Sequence, residues 1–227
     1  PDCPFPWEPE GRWTTSFRHL QQLAATIDQL GYYGALLGTG LGDEVLTVSS
    51  AMIGTTRRMR FLAAIHPGLL SPVKLAQIAL TQDRFSGGRM LFNVVNGNDV
   101  VLPVFGVNYE HDERYDFSHE YWDAFQRFYL GQRDGYDGKY VKLAPAPPEY
   151  GLGRRGAREA PLKAVQPNGV PLWGAGTSPA GVAHAVRLLD TYLSFADTPP
   201  RLGDKFRRVG AEAARIGRTL DYGTRLQ

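Results

Sequence analysis

The most constraining feature of this sequence is a regular alternation of apolar, strand-like segments with amphipathic, helix-like segments. The strand-like segments end near residues 40, 67, 97, 176, 197 and 227. Apart from one long gap, each strand–helix unit takes roughly 20 to 30 residues, which is typical of parallel strands joined by helices. The pattern therefore predicts an α/β fold with a parallel sheet and helices outside it.

Six consecutive units fit either an open doubly wound sheet or six-eighths of a (β/α)8 barrel. An open sheet would normally have a phosphate-binding loop after its first strand. The glycines at 38, 40 and 42 do not have the G-x-G-x-x-G spacing, and no Walker lysine motif occurs in the right context. The sequence therefore favours a (β/α)8 TIM barrel, formed as a single domain over residues 1–227.

The gap in the alternation predicts an insertion at about 132–170. Asp137-Gly138 is a hairpin-type turn within it. Residues 144–170 are rich in proline, contain the basic residues Arg154, Arg155 and Arg158, and lack hydrophobic periodicity. We interpret them as a mobile surface loop or lid.

Composition excludes several classes of protein. Apolar residues make up 43% of the chain and charged residues 21%, which argues against intrinsic disorder. A net charge of +2 is too balanced for a nucleic-acid or membrane-surface protein, and no run of 18 apolar residues occurs. The single cysteine, Cys3, cannot form an intrachain disulfide. With no apparent signal peptide, the expected compartment is the cytoplasm.

In a barrel, the active site is made by residues at the carboxyl-terminal ends of the strands. The candidates at these ends are Thr39, His66, Asn96, Ser178, Phe195 and Arg225, and His111 and Tyr115 follow the third strand-like segment. His66 also fits a structural role at the rim. Arg225 would suit fork-like binding of a carboxylate, sulfonate or phosphate if it points inward.

The strongest local motif is GAGTSP at 174–179. Its glycines, Gly176 among them, allow the backbone to approach a ligand, and Ser178-Pro179 opens a helix whose free N–H groups favour an anion. Thr177 and Ser178 would add hydroxyl donors to a phosphate; the alternative is an ordinary helix cap. Asn96 either hydrogen-bonds a heteroaromatic ring or ribityl chain, or simply builds an Asn-Gly turn.

The sequence lacks the residues that several other types of reaction require. The five histidines form no H-x-H or H-x-x-x-H pair, so we expect no metal site. The only cysteine lies in the N-terminal loop, and no G-x-S-x-G nucleophile motif occurs. An anion cradle with few titratable groups suggests a cofactor that performs the difficult chemistry itself.

Several segments occur in an order that points to a known family: LGYYGALLGTG, FLAAIHPGLLSPVKLAQIALTQDRFSGGRMLFNVVNGND, HDERYDFSHEYWDAF, YDGKYVKL and PLWGAGTSPAG. From about residue 17 to residue 227, the chain resembles the bacterial luciferase-like, FMN-dependent monooxygenases, in particular the alkanesulfonate monooxygenase branch. D-R-x-S-x-G-R, N-V-V-x-G and E-R-Y are specific as a set, although each is weak alone.

The resemblance implies a (β/α)8 barrel that is incomplete in this chain, without its first strand and without everything after the start of the seventh. It implies FMN used in its reduced form, FMNH2, and supplied by a separate NAD(P)H-dependent flavin reductase. O2 would add to the flavin, and the peroxyflavin would oxidise an alkanesulfonate or related organosulfur compound. A homo-oligomer, dimer or tetramer, is expected.

The resemblance also assigns roles to residues. Asn96 matches a flavin contact, Tyr115 and Thr177–Ser178 match phosphate-binding positions, and Arg225 matches an arginine that holds the sulfonate. The candidate cofactor-binding set is Thr39, Asn96, His111, Tyr115, Gly176, Thr177 and Ser178. The candidate catalytic set is Arg225, His66 and Phe195.

Four departures from the alkanesulfonate pattern leave the substrate open. The loop at 41–43 has no cysteine, Phe195 stands for a tryptophan, Gln227 for a histidine and His66 for an arginine. Two rival interpretations remain: a deazaflavin-dependent oxidoreductase of the same fold, and a non-catalytic flavin-binding subunit.

Overall fold

The computed structural model describes residues 16–97, 101–146 and 163–225, and its main feature is a six-stranded parallel sheet. The strands of this sheet are β1 (Gly34–Leu37), β2 (Arg60–Ile65), β3 (Met90–Val94), β6 (Leu172–Gly174), β7 (Thr191–Phe195) and β8 (Asp221–Arg225); β4 (Tyr136–Asp137) and β5 (Lys142–Leu143) form a separate hairpin. The helices are α1 (Phe17–Gln29), α2 (Val45–Ile53), α3 (Pro72–Ser86), α4 (Val101–Val104), α5 (His111–Tyr129), α6 (Pro179–Leu188) and α7 (Pro199–Arg215).

The predicted alternation is confirmed, and the strands end two or three residues earlier than their apolar segments. The short helix α4 was not anticipated. Ser16, Ser71 and Ser178 precede α1, α3 and α6, and each side-chain oxygen accepts a hydrogen bond from a backbone N–H of the first turn. Helices α3 and α6 begin with a proline, whose missing N–H is not needed at that position.

The sheet is curled into part of a (β/α)8 barrel, so the predicted fold class is confirmed. The spatial order of the strands follows the chain, β1-β2-β3-β6-β7-β8, and all neighbouring pairs are parallel. β1 and β6 stand three places apart, which would be about 14 Å in a flat sheet. Nevertheless, the ring of Tyr33, next to β1, stacks on that of Trp173 in β6 with the centroids 6.2 Å apart.

The main hydrophobic core lies between the sheet and the helices. Phe61 of β2 and Phe92 of β3 are completely buried. The Phe92 ring packs against Trp122 and Phe125 of α5 at centroid distances of 5.9 and 5.5 Å. Burial of such aromatic side chains dominates core energetics, and here it fixes α5 against the sheet.

The described parts of the 132–170 region are tied to the barrel. The Glu120 carboxylate accepts hydrogen bonds from the backbone N–H groups of Lys139, Tyr140 and Val141 and thereby holds the β4–β5 hairpin on α5. The Gln166 amide donates to the carbonyl oxygen of Met90, the first residue of β3. Residues 163–170 therefore lie at the amino-terminal end of the sheet, away from the strand ends predicted to form the site; residues 147–162 of the predicted lid lie outside the described residues.

Candidate active site

A cavity of about 280 Å³ lies at the carboxyl-terminal edge of the sheet. Its described lining residues come from β1, β3, β7, the turns after β3 and β6, and α5: Leu36, Asn93, Val94, Val95, Asn96, Gly97, Tyr115, Ala175, Leu193, Ser194 and Phe195. Most of these are apolar, and none of the described lining side chains is charged. An apolar cavity with a few polar groups at a barrel mouth is the usual form of a ligand site.

Asn96 lines this cavity and has an unsatisfied amide oxygen. It lies two residues beyond β3, and its Oδ1 atom is buried without a hydrogen-bond partner in the described structure. A buried acceptor left unpaired costs about 1–3 kcal/mol. The oxygen is therefore suited to accept an N–H or O–H from a ligand, which is the amide chemistry predicted for Asn96.

A second polar feature, which we call the Gly181 cradle, is formed at the start of α6 by Tyr115, Gly176, Ser178 and Gly181. A Cβ placed on Gly181 would lie 3.0 Å from the Tyr115 hydroxyl oxygen and 3.1 Å from Ser178 Oγ. It would also lie 3.1 Å from the Cα of Gly176. The two hydroxyls therefore converge on Gly181 so closely that a side chain there would have to displace them.

The cradle is held by its own hydrogen bonds. The Tyr192 hydroxyl donates to the carbonyl oxygen of Gly176 at 2.6 Å, and the Gly181 N–H donates to Ser178 Oγ at 3.0 Å. A Cβ on Gly176 would meet the carbonyl oxygen of Gly181 at 2.5 Å, so this close approach requires glycine. The predicted helix cap is therefore observed at Ser178, and the start of α6, which we predicted to favour an anion, adjoins the cradle. Thr177 is exposed beside it.

His66 lies behind the cavity wall rather than in it. Its side chain is buried, and Nδ1 donates to the carbonyl oxygen of Val95, a lining residue, at 2.8 Å. Burial lowers the pKa of His66, and the hydrogen bond to Val95 offsets this only in part. The imidazole is therefore neutral at pH 7, with the proton on Nδ1, and supports the wall of the cavity.

Two predicted cofactor-binding residues stand apart from the described cavity wall. His111 is the first residue of α5, has an exposed side chain, and bonds through Nδ1 to Asp112 Oδ1 at 2.7 Å. Its ring meets the ring of Tyr115 edge-on at 5.4 Å. Thr39 lies two residues beyond β1 and is half-buried. Both residues therefore lie at the periphery of the cavity: His111 is beside Tyr115, and Thr39 is at the rim.

Phe195 and Arg225 occupy paired positions on the last two strands. Phe195 ends β7, is 59% exposed and lines the cavity. The backbone of Arg225 is its register partner at the end of β8. The two predicted catalytic positions are therefore neighbours at the mouth.

The D-R-x-S-x-G-R motif lies at the opposite end of the barrel and holds the fold together there. The Arg89 guanidinium donates to the carbonyl oxygens of Ser86 and Met59 at 2.6 and 2.7 Å. The buried Asp83 carboxylate accepts from the hydroxyl of Tyr129 and from the Gln166 amide. Polar networks at the amino-terminal face of a barrel serve stability rather than chemistry.

Sequence reasoning missed three residues around the cradle: Gly181, Tyr192 and His184. A glycine in the first turn of a helix was a visible signal for Gly181, since glycine disfavours helix interiors. Nothing in the sequence connects Tyr192 with Gly176, because their contact joins the neighbouring strand β7 to the turn after β6. His184 is buried in α6 with its ring 5.4 Å from that of Tyr115, which only the packing of two helices reveals.

The described ranges hold neither a cluster of metal-ligating side chains nor a membrane-spanning helix. Within residues 16–97, 101–146 and 163–225, no three histidine, cysteine or acidic side chains gather as a metal site would require. In the same ranges, no helix has both the length and the apolar composition needed to cross a bilayer.

The curled parallel sheet with its surrounding helices defines part of a (β/α)8 barrel, and the apolar cavity lies at the carboxyl-terminal strand ends, where barrels of this kind place their ligand sites. The chain belongs to the luciferase-like monooxygenase family, whose model matches residues 3–227. This agrees with the resemblance seen in the sequence at the level of the family.

Three solved structures illustrate the fold. The oxygenating constituent of 3,6-diketocamphane monooxygenase from Pseudomonas putida, a type II Baeyer–Villiger monooxygenase in complex with FMN, is 16% identical with a TM-score of 0.78, over 96% of this chain and 64% of its own. The long-chain alkane monooxygenase LadA is 18% identical with a TM-score of 0.78, and the match covers 92% of this chain and 57% of LadA. The coenzyme F420-dependent tetrahydromethanopterin reductase from Methanopyrus kandleri is 16% identical with a TM-score of 0.76, and the match covers 92% of this chain and 62% of the reductase.

At these identities the likeness concerns the fold alone. The chain spans less than two thirds of the length of each of these structures. One of the three carries FMN and another depends on coenzyme F420, so the fold itself accommodates more than one flavin-type cofactor.

Proposed function

We propose that this chain forms the flavin site of an FMNH2-dependent, two-component monooxygenase that oxidises an alkanesulfonate or a related organosulfur compound. The observation that carries the proposal is the Gly181 cradle beside the cavity containing the unsatisfied Asn96 oxygen. Tyr115 belongs to both, since it lines the cavity and places its hydroxyl in the cradle. One ligand with a phosphate and a hydrogen-bonding ring system would satisfy both features.

The residues present fit FMN. Tyr115 and Ser178, with the start of α6, would hold the 5′-phosphate by charge-assisted hydrogen bonds. Asn96 would accept a hydrogen bond from the ring system or the ribityl chain, and Asn93 adds an amide to the same wall. The reduced flavin, when bound, supplies the activation of O2 that no side chain provides.

The protein's own contribution is to bind, orient and exclude water. Leu36, Val94 and Leu193 give the cavity an apolar wall, which disfavours water beside a reactive group. His66 supports that wall from behind by holding the carbonyl of Val95. Phe195 stands at the mouth, where substrate would enter.

The organosulfur substrate rests on the resemblance and on the position of Arg225. An arginine at the end of β8, with its backbone paired in register with Phe195, suits a sulfonate because a guanidinium binds such anions through two parallel N–H groups. The proposal also includes a separate NAD(P)H-dependent flavin reductase and a homo-oligomeric enzyme. Sulfite release from alkanesulfonates, measured with FMN, a reductase and O2, tests the activity, and light scattering tests the assembly.

A deazaflavin enzyme is the second candidate, because one solved structure of the same fold depends on coenzyme F420. Anaerobic titration with reduced FMN and with reduced deazaflavin, followed by tryptophan fluorescence, separates the two. Trp173 stacks inside the curled sheet and makes a local reporter. If the deazaflavin binds more tightly than FMN, the deazaflavin becomes the proposed cofactor. Flavin binding without turnover of any organosulfur compound would support a non-catalytic subunit.

The direct test of the flavin site compares FMN with riboflavin, which lacks the phosphate. We expect the protein to bind reduced FMN at least tenfold more tightly, and Tyr115→Phe to weaken FMN binding about tenfold while leaving riboflavin unchanged. Tyr32→Phe is the matched control, since Tyr32 is exposed beyond α1. Asn96→Ala should weaken both ligands, because both carry the ring system.

A further inference from the structure

Tyr115 has a buried partner that the binding site does not account for. His184 of α6 is only 5% exposed, and its ring lies 5.4 Å from the Tyr115 ring at an interplanar angle of 48°. Its Nε2 atom lies 3.4 Å from the hydroxyl oxygen of Ser118, one turn further along α5. His184 thus contacts the same stretch of α5 that carries Tyr115 into the cradle.

The described structure brings two imidazole rings against the Tyr115 ring, those of His111 and His184. Glu110 precedes the helix without making a side-chain capping hydrogen bond. On its outer side the Tyr115 ring meets His111, whose side chain is 54% exposed. An exposed side chain can change rotamer freely, whereas a buried one is restricted by its neighbours. The firm surface against the Tyr115 ring is therefore the imidazole of His184.

The imidazole acts there without a charge. Burial lowers the pKa of His184 to about 4, with further lowering by His119 and Arg187, and a hydrogen bond with the Tyr115 backbone opposes this only in part. At neutral pH, His184 therefore adds no positive charge to attract an anion, and its influence on a ligand passes through the position of Tyr115.

We propose that His184 is a positioning residue that holds the Tyr115 hydroxyl over the start of α6, so that the site discriminates a phosphorylated flavin from an unphosphorylated one. The inference rests on the proposed function, in which Tyr115 binds the phosphate. In this inference, the selectivity for the phosphorylated flavin is set by a residue of α6 that does not touch the ligand and packs against α5.

The test is the ratio of the riboflavin and FMN dissociation constants, both measured with reduced ligands. In the unaltered protein we expect this ratio to be ten or more. His184→Ala should lower the ratio about tenfold by weakening FMN alone, and Tyr115→Phe should lower it by a similar factor. In the double variant the two losses should not add, because both act through one hydroxyl.

Two further variants separate positioning from general stability. Val186→Ala removes a buried side chain from the same helix and should lower the melting temperature while leaving the ratio unchanged. His184→Gln keeps a planar group able to hydrogen-bond Ser118, and it should retain most of the ratio. His184→Ser removes the ring that contacts Tyr115, should lower the ratio like His184→Ala, and takes its place if the alanine variant fails to fold.

The outcomes distinguish the two levels of the argument. A ratio near one in the unaltered protein would overturn the phosphate cradle and the positioning role together. A high ratio that survives in His184→Ala, or in His184→Ser if the alanine variant does not fold, would overturn the positioning role alone. Additive losses in the double variant would also overturn it.

Discussion

His66 donates from Nδ1 to the carbonyl oxygen of Val95 at 2.8 Å, in the place where the parallel ladder would have a backbone N–H. The ladder reaches this point intact, because the Val95 N–H donates to the carbonyl oxygen of Ile65. The next donor would be residue 67, but that residue is proline and has no N–H. The histidine side chain therefore completes a hydrogen bond that the backbone cannot make.

This relationship predicts a rescue experiment. His66→Ala should lower the free energy of unfolding by about 1–3 kcal/mol, because the Val95 carbonyl loses its donor in a buried position. Adding Pro67→Ala should recover part of that loss, since residue 67 then supplies the missing N–H. Urea unfolding of the single and double variants measures both effects.

Pro67→Ala alone is the control, with an expected cost of about 0.4–1 kcal/mol from the greater freedom of the unfolded chain. If the double variant is no more stable than His66→Ala, the contribution of His66 lies in packing and not in this hydrogen bond.

Gly181→Ala should block the cradle. The added methyl group would lie about 3 Å from the Tyr115 and Ser178 hydroxyl oxygens, so it would push aside the two groups proposed to hold the phosphate. We expect FMN affinity to fall at least tenfold, with riboflavin affinity nearly unchanged, in anaerobic fluorescence titrations. Gly54→Ala is the control, because that glycine has right-handed backbone angles and open space around it. An unchanged FMN affinity in Gly181→Ala would argue against a phosphate at this position.

Arg89→Lys should destabilise the protein without changing its ligand affinity. The guanidinium donates to several acceptors around the turn before β2, and a lysine cannot reproduce that geometry. We expect a loss of about 2–4 kcal/mol in the free energy of unfolding.

The control for Arg89 is Arg201→Lys, an exposed residue paired with Asp197, which should cost less than about 1 kcal/mol. Chemical denaturation measures the loss, and flavin titration of the folded protein checks the binding. Weakened flavin binding in folded Arg89→Lys would contradict the assignment of this motif to the stability face.

The stability of the protein should depend on pH through His184. Its pKa is about 4 in the folded protein against 6.5 in the unfolded chain, so the unfolded chain takes up the proton first as the pH falls. The stabilising contribution is complete above pH 6.5 and is lost between pH 6.5 and 4. It amounts to at most on the order of 3 kcal/mol.

His184→Gln removes the titrating imidazole of His184 and leaves the other titratable side chains in place. The unfolding free energy of the variant should therefore fall less than that of the unaltered protein between pH 7.5 and 4.5, as measured by urea denaturation at a series of pH values. Equal losses in the two proteins would show that the imidazole is not buried as the structure describes.

Prediction from the sequence was most successful where the information is local. The alternation of segments and the capping serine at position 178 both follow from residues close together in the chain. The role of D-R-x-S-x-G-R was not visible in this way, because Arg89 acts on residues about thirty positions away. His66 was left between two roles because the sequence alone did not connect it with Val95.

The parallel α/β architecture, the family and the helix cap at Ser178 can be derived from the sequence alone, since periodicity and helix capping depend on neighbouring residues. Which of the candidate residues lie together could be learned from the three-dimensional packing and from nothing more local. The curl of the sheet brings Leu36 of β1 and Phe195 of β7 to one cavity, and the packing of α5 on α6 brings the Tyr115 hydroxyl to Gly181. Such contacts depend on burial and on the angles between whole elements, which no short stretch of sequence specifies.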